Sequence, residues 1–119
     1  MVEDTSLSFH AWGKLPGTLI KWFLQEIGNE KLCRLLDGEE RIATAQVVNG
    51  IYDGTHLYFC EGKVLGSIAN SPRGENGFGW DNIFIPDGQS KTYGEMTDKE
   101  IDQTSVRRLA LEKLKKILL

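Results

Sequence analysis

Basic charge is not in excess in this chain, and that narrows the field first. The 119 residues carry 14 Lys+Arg against 17 Asp+Glu, a formal net charge of −3. A general binder of nucleic-acid backbone needs the opposite balance, so nucleic acid is not an expected partner. A local basic pocket can still hold a small anion. Cysteine is scarce: Cys33 and Cys60 sit far apart with no CxxC spacing. They read as two reduced, part-buried thiols, which predicts a cytoplasmic protein. Histidine is as rare, and His10 and His56 have no companion at metal-ligand spacing. No apolar run approaches the ~18–20 residues of a membrane span. The acidic start Met1-Val2-Glu3-Asp4 reads as neither a signal peptide nor an Arg-rich transit peptide. Linkers, low-complexity tracts and repeats are absent too, so residues 1–119 read as one domain.

What is present is an ordinary globular balance, 40% hydrophobic and 26% charged, which excludes a disordered acidic tail. After Leu15-Pro16-Gly17, the residues Leu19, Ile20, Phe23, Leu24 and Ile27 recur at helical spacing. Pro16 suits the first turn of that helix and Gly28 its end. Asn29 is a good N-cap for a second short helix carrying Leu32, Leu35 and Leu36, closed by Gly38. Trp12, Trp22 and Phe23 read as packing residues. A β-rich middle follows. Residues 41–52 form a strand, and Asp53-Gly54 predicts a hairpin turn with positive φ at both positions. Residues 56–60 return, Gly62-Lys63 turns again, and residues 64–68 form another strand. Pro72, Gly74, Gly77 and Gly79 mark a loop over 70–79. Ile83-Phe84-Ile85 is a short strand stopped by Pro86-Asp87-Gly88. Residues 103–118 predict one amphipathic helix, with Val106, Leu109, Ala110, Leu114, Ile117 and Leu118 inward and Asp102 or Thr104 as its cap. The expected fold class is α+β: an antiparallel or mixed sheet flanked by helices.

Three clusters hold chemistry-bearing residues. Glu3-Asp4-Thr5-Ser6 gathers two carboxylates and two hydroxyls, the oxygen chemistry that Mg²⁺ prefers. A polar turn or helix cap is the commoner fate of such a cluster. Arg73-Gly74, then Gly77-Phe78-Gly79-Trp80-Asp81, pairs a forked cation with two flat aromatic faces in a glycine loop. Arginine there suits a phosphate or base edge, the aromatics suit stacking a purine, and Asp81 can accept from ring N–H groups. Aromatics that plug the core from a glycine loop are the equal alternative. Ser105-Val106-Arg107-Arg108 starts the last helix with groups that suit an anion, or else forms a solvated basic face.

Taken in order, Val2-Glu3-Asp4-Thr5-Ser6-Leu7, Leu15-Pro16-Gly17 with Ile20-Lys21-Trp22-Phe23-Leu24, Pro72-Arg73-Gly74, Gly77-Phe78-Gly79-Trp80-Asp81, Pro86-Asp87-Gly88, Thr92-Tyr93-Gly94-Glu95-Met96 and Ser105-Val106-Arg107 resemble the inosine triphosphate pyrophosphatase family over essentially the whole chain. Members hydrolyse aberrant purine triphosphates (ITP, dITP, XTP) to monophosphate and pyrophosphate. The resemblance implies Mg²⁺ as cofactor with Glu3 and Asp4 as metal ligands, and Asp4 as the carboxylate that activates water. It implies substrate contacts from Arg73, Phe78, Gly79, Trp80, Asp81, Ser105 and Arg107. Adenine is refused because donors built for a 6-oxo group are left unpaired by a 6-amino group.

Two departures accompany it. The family chain is longer at its N-terminal end, where it carries a Ser/Thr-x-x-Asn-x-x-Lys phosphate loop and a metal-binding Glu. The family's Glu-Lys-Asn…Ser-His-Arg reads Glu100-Ile101-Asp102…Ser105-Val106-Arg107 here. Isoleucine and valine neither donate a hydrogen bond nor carry charge. Each lost charge-assisted contact is worth about 1.5–3 kcal/mol. The expectation is a weak or inactive pyrophosphatase as a lone chain. Alternatives are a non-catalytic nucleotide-binding or self-assembling module, or one half of a split enzyme. Exposed surface left by the missing elements predicts self-association, a homodimer in the simplest case.

Overall fold

A computed structural model describes residues 2–77 and 79–118, with the side chains of Val2, Val106, Arg107 and Leu118 outside the description. Strand β1 (Val2–Phe9) leads through a helical turn at His10–Trp12 to β2 (Pro16–Gly17) and helix α1 (Ile20–Arg34). The long strands β3 (Ile42–Tyr52) and β4 (Leu57–Ile68) follow, then β5 (Phe84–Pro86), α2 (Asp98–Thr104) and α3 (Val106–Leu118). The described strands form one antiparallel sheet in the order β2-β1-β3-β4-β5, and α3 lies across β3 and β4. This is the α+β architecture expected. Among the described residues no helix is long and apolar enough to cross a membrane.

The register explains the faces. Leu7 pairs with Ala45 and Phe9 with Ala43, all four fully buried. Side chains alternate along a strand, so Glu3 and Thr5 share that inner face, while Asp4, Ser6 and Ser8 point to the other. The core closes with Leu32, Cys33 and Leu36 from the α1 region and with Ile83 and Phe84 near β5. Arg41 ties these parts: its guanidinium donates to the carbonyls of Cys33, Ile68 and Ala69 at 2.9, 2.8 and 2.6 Å.

Several local expectations change. Pro16 sits in β2, and α1 begins only at Ile20. Gly28 does break the helix, with φ 77° and ψ 166°. Asn29 spends its amide on the Gly79 carbonyl and Asn82 Oδ1. Gly62-Lys63 makes no turn: β4 runs straight through, with Gly62 opposite Val47, because β3 offers an unbroken ladder to pair with. Gly66 is required for a different reason. A Cβ there would collide with the Ile85 carbonyl and the Phe84 ring, so glycine lets β5 close on the sheet. In the hairpin only Gly54 takes positive φ. Asp53 keeps an ordinary backbone because its carboxylate accepts the N–H groups of Thr55 and His56 at 2.8 and 2.7 Å. These bonds hold the Asp53 carboxyl below its usual range.

The last helix is two. Ser105 (φ −66°, ψ 127°) separates α2 from α3 and caps the second itself, its Oγ accepting from the Arg108 N–H at 3.3 Å. Thr97 and Glu100 form a capping box at the start of α2. On α3, Ala110 and Leu114 are buried, whereas Leu109 and Ile117 stay exposed, so the buried stripe is narrower than expected. Val106 and Leu118 have side chains outside the description. Trp12 packs against Phe9 and Phe23 as expected, with ring centroids 4.9 and 6.3 Å apart. Trp22 is 59% exposed and does not join them.

Candidate functional site

Between the edge of β1 and the inner face of α1 lies a cavity of about 740 Å³. That volume falls in the range that holds a small-molecule ligand. Glu3, Asp4 and Thr5 line it from β1; Thr18, Ile20, Lys21, Leu24 and Gln25 from the start of α1; Gly79, Trp80 and Asp81 from the glycine loop. Val47, Tyr93, Ile101 and Ser105 complete the wall. Residues separated by a hundred positions thus converge, because the sheet register carries β1 past β3 while α2 and the Ser105 break fold back over it.

The aromatic wall is braced from behind. Trp80 is only 8% exposed. Its ring meets Phe84 edge-on at 5.5 Å and Tyr93 at 6.3 Å, and Phe84 stacks on Tyr93 at 5.7 Å. Trp80 is therefore both a core residue and part of the cavity wall, which joins the two readings that the sequence left open. The Tyr93 hydroxyl donates to the Thr104 carbonyl at 2.7 Å and so links this wall to the end of α2. Burial pushes its phenol up to about 12, against the lowering pull of the Thr104 side chain, with the nearby Asp81 charge adding to the rise.

Close backbone approach fixes the loop. A Cβ on Gly77 (φ 75°) would run into the Asp81 carboxylate, and one on Gly74 (φ 89°) into the Gly94 backbone. The Gly94 N–H donates to the Asp81 carbonyl at 2.8 Å. From the far side, the Asn29 amide donates to the Gly79 carbonyl and to Asn82 Oδ1, both at 2.8 Å.

Of the residues expected from sequence, Glu3, Asp4, Gly79, Trp80, Asp81 and Ser105 line this one cavity. Phe78 and the Arg107 side chain lie outside the described residues. Arg73 stands away from the lining. Its Nε pairs with Glu95 at 3.1 Å, and its terminal nitrogen donates to the Ser90 carbonyl at 2.9 Å. Its own carbonyl accepts from the Thr92 hydroxyl at 2.7 Å. Those bonds make it a brace between two loops. Lys21 is the cation that sequence reasoning passed over. It lies within the Ile20-Lys21-Trp22 run, and helix phase turns it to the cavity while Trp22 faces solvent. Ile101 lines the cavity where the resemblance places a lysine.

The donor set bears on a metal. Among the described residues no three His, Cys, Asp or Glu side chains are grouped to enclose an ion. Glu3 and Asp4 are consecutive strand residues and leave the backbone on opposite faces. A cation here would take one or two carboxylates and draw its other ligands from water and phosphate, which is the habit of Mg²⁺.

The Ham1p-like profile, described as the Ham1 family, matches residues 1–117. An inosine triphosphate pyrophosphatase 2 of Trypanosoma cruzi is 44% identical over 119 residues, covering 97% of this chain and 60% of its own length. An inosine triphosphate pyrophosphatase of Yarrowia lipolytica is 42% identical over 125 residues, covering 99% of this chain and 64% of its own. A HAM1 protein structure from Coxiella burnetii superimposes with a TM-score of 0.86 at 27% identity, covering 98% of this chain and 65% of that one. A nucleoside-triphosphatase described as a dITP/XTP pyrophosphatase, from Mycobacterium abscessus, gives 0.75 at 31% identity, covering 94% and 64%. The chain spans less than two thirds of the length of these relatives. With its profile matched almost end to end and its fold shared, the chain belongs to the Ham1 family.

Proposed function

We propose that the cavity is a purine nucleotide site of a nucleoside triphosphate pyrophosphatase that acts on ITP, dITP and XTP. One observation carries this reading: the acidic pair of β1, Lys21, and the Gly79-Trp80-Asp81 segment face one another across a single cavity. The purine rests against the Trp80 wall, with Asp81 accepting from ring N–H groups and the Ser105 region reading the 6-oxo edge. Lys21 meets the phosphates. In the reaction a water oxygen bonds to the α-phosphorus, the bond to the pyrophosphate oxygen breaks, and the water proton passes to the Asp4 carboxylate. Mg²⁺, when held by Glu3 or Asp4, supplies charge neutralisation to the phosphates. Two free, buried cysteines suit a reducing cytoplasm.

As a lone chain the activity is weak. Lys21 is the sole basic lining residue among those described, against three carboxylates, and Ile101 adds an apolar side chain where a cation would help. That second feature favours a nucleotide-binding module as the other reading. Incubation with ITP, dITP or XTP and Mg²⁺, beside ATP, followed by pyrophosphate release and by calorimetry, separates the two. Slow release above an Asp4→Asn control supports the enzyme, binding without release supports the module, and neither removes the proposal.

We also propose self-association through the outer face of the β3–β4 hairpin. Tyr52, Leu57 and Phe59 are exposed there. Glu61 and Lys63, 3.8 Å apart, give the same face both signs of charge, so it complements itself. Sedimentation at micromolar concentration should show a dimer; a stable monomer contradicts it.

A further inference from the structure

One polar side chain of the helical cavity wall has no task so far. Gln25 lines the cavity beside Lys21 and Leu24, and it is exposed. Among the described residues its carboxamide makes no hydrogen bond to the protein. Lys21 and Gln25 stand four residues apart in the run 20–27 of α1. They therefore share one helix face, one turn or about 6 Å apart along the axis. The run also has a direction relative to the site. It ends at the Gly28 break, and Asn29, immediately beyond, donates to the carbonyl of Gly79, the residue before Trp80. Gln25 thus occupies the turn next to the aromatic wall, and Lys21 the turn further from it. The order along α1 is aromatic wall, amide, ammonium.

We propose that Gln25 binds a sugar hydroxyl of the nucleotide and so makes the site sensitive to the sugar. The proposal rests on the purine nucleotide reading and deepens it, by giving a contact to the one part of the ligand still without one. A nucleotide is joined in the order base, sugar, phosphate. With the purine against Trp80 and the phosphates at Lys21, that order lays the sugar at the level of Gln25. A carboxamide suits a hydroxyl, because each both donates and accepts. It carries no charge, so it does not repel the neighbouring phosphates as a carboxylate would. Leu24, on the same wall, offers the sugar carbons an apolar contact. Thr18 also lines the cavity, but it precedes Lys21 and belongs to the phosphate end.

Calorimetry with three probes tests it: ITP, its 2′-deoxy analogue and its 3′-deoxy analogue. One of the two deoxy analogues should bind about three- to tenfold more weakly than ITP, the range for one neutral hydrogen bond. Which one weakens names the hydroxyl. Gln25→Ala should bind all three alike, at the affinity the parent has for the weakened analogue. Lys21→Met should weaken all three together and keep the sugar preference, since it acts on the phosphates. The Gln25 side-chain amide resonance should shift with ITP and stay in place with the weakened analogue, a readout that a merely structural role would not move. Equal affinity of the parent for all three overturns the proposal and leaves the nucleotide reading standing. A sugar preference that survives in Gln25→Ala overturns it as well. Binding of none of the three removes the nucleotide reading, and this proposal with it.

Discussion

The side-chain amide of Asn29 donates to the Gly79 carbonyl at 2.8 Å, across fifty residues of sequence. The same nitrogen reaches Asn82 Oδ1 at 2.8 Å. The break at Gly28 turns Asn29 out of the first helical run and toward the glycine loop, so the end of α1 sets the position of the backbone just before Trp80.

Asn29→Asp replaces that donor with a carboxylate facing two oxygens. Stability should fall by about 1–3 kcal/mol, the range for a buried polar group left without its partner, and Asn29→Ala should lose less. Denaturant unfolding measures the first effect. Loss of ITP affinity beyond what Asn29→Ala causes checks the link to Trp80.

Asn49 offers the opposite sign. It is fully buried, opposite Glu3 on β1 and Cys60 on β4, and its side-chain nitrogen and oxygen have no hydrogen-bond partner among the described residues. Leucine has a similar shape and no polar atoms. Asn49→Leu should raise stability by about 1–3 kcal/mol, seen as a higher Tm. A lower Tm would mean that the amide is satisfied in solution.

Much of the fold was legible because it rests on local patterns. Gly28 and the alternation of β3 announce themselves over a few residues. Three features did not. The Gly62 position looked like a turn in isolation, yet the register with β3 overrides it. Ser105 ends one helix and caps the next, a signal that the continuous apolar spacing of residues 103–118 masks. The Asn29 bond joins distant segments and has no local signature. For the site, the motif residues pointed to the cavity wall, but only the fold distinguished Arg73, held by Glu95 and Ser90, from Lys21, which lines the cavity.

Alkaline pH should test the buried wall. Burial pushes the Cys33 thiol from 9.0 up to about 11, against the pull of the Arg41 charge. Tyr93 rises from 10.0 to about 12. Both groups are raised in the folded state, so each favours its protonated form there. Their stabilisation is whole below the unfolded values and is lost as pH climbs through the folded ones. Thermal stability should decline between about pH 9 and 12, and Cys33→Ala with Tyr93→Phe should flatten the decline. Equal slopes in parent and double variant would refute this assignment.

Ile101→Lys would place an ammonium on the cavity wall. A charge-assisted contact of about 1.5–3 kcal/mol corresponds to roughly ten- to a hundredfold tighter ITP binding. The variant should also lose a little stability, since Ile101 packs against the core. Calorimetry with ITP and with inosine separates the phosphate effect from the base: only ITP should gain. Equal gain for inosine would place Ile101 away from the phosphates.

The most direct measurement is an ITP titration followed by backbone and indole NMR shifts. The account predicts saturable shifts at Thr5, Lys21, Gly79, Trp80 and Asp81, weaker for ATP, with Phe59 and Lys63 unmoved. Shifts confined to the outer hairpin face, or none that saturate around Trp80, would contradict a purine site in this cavity.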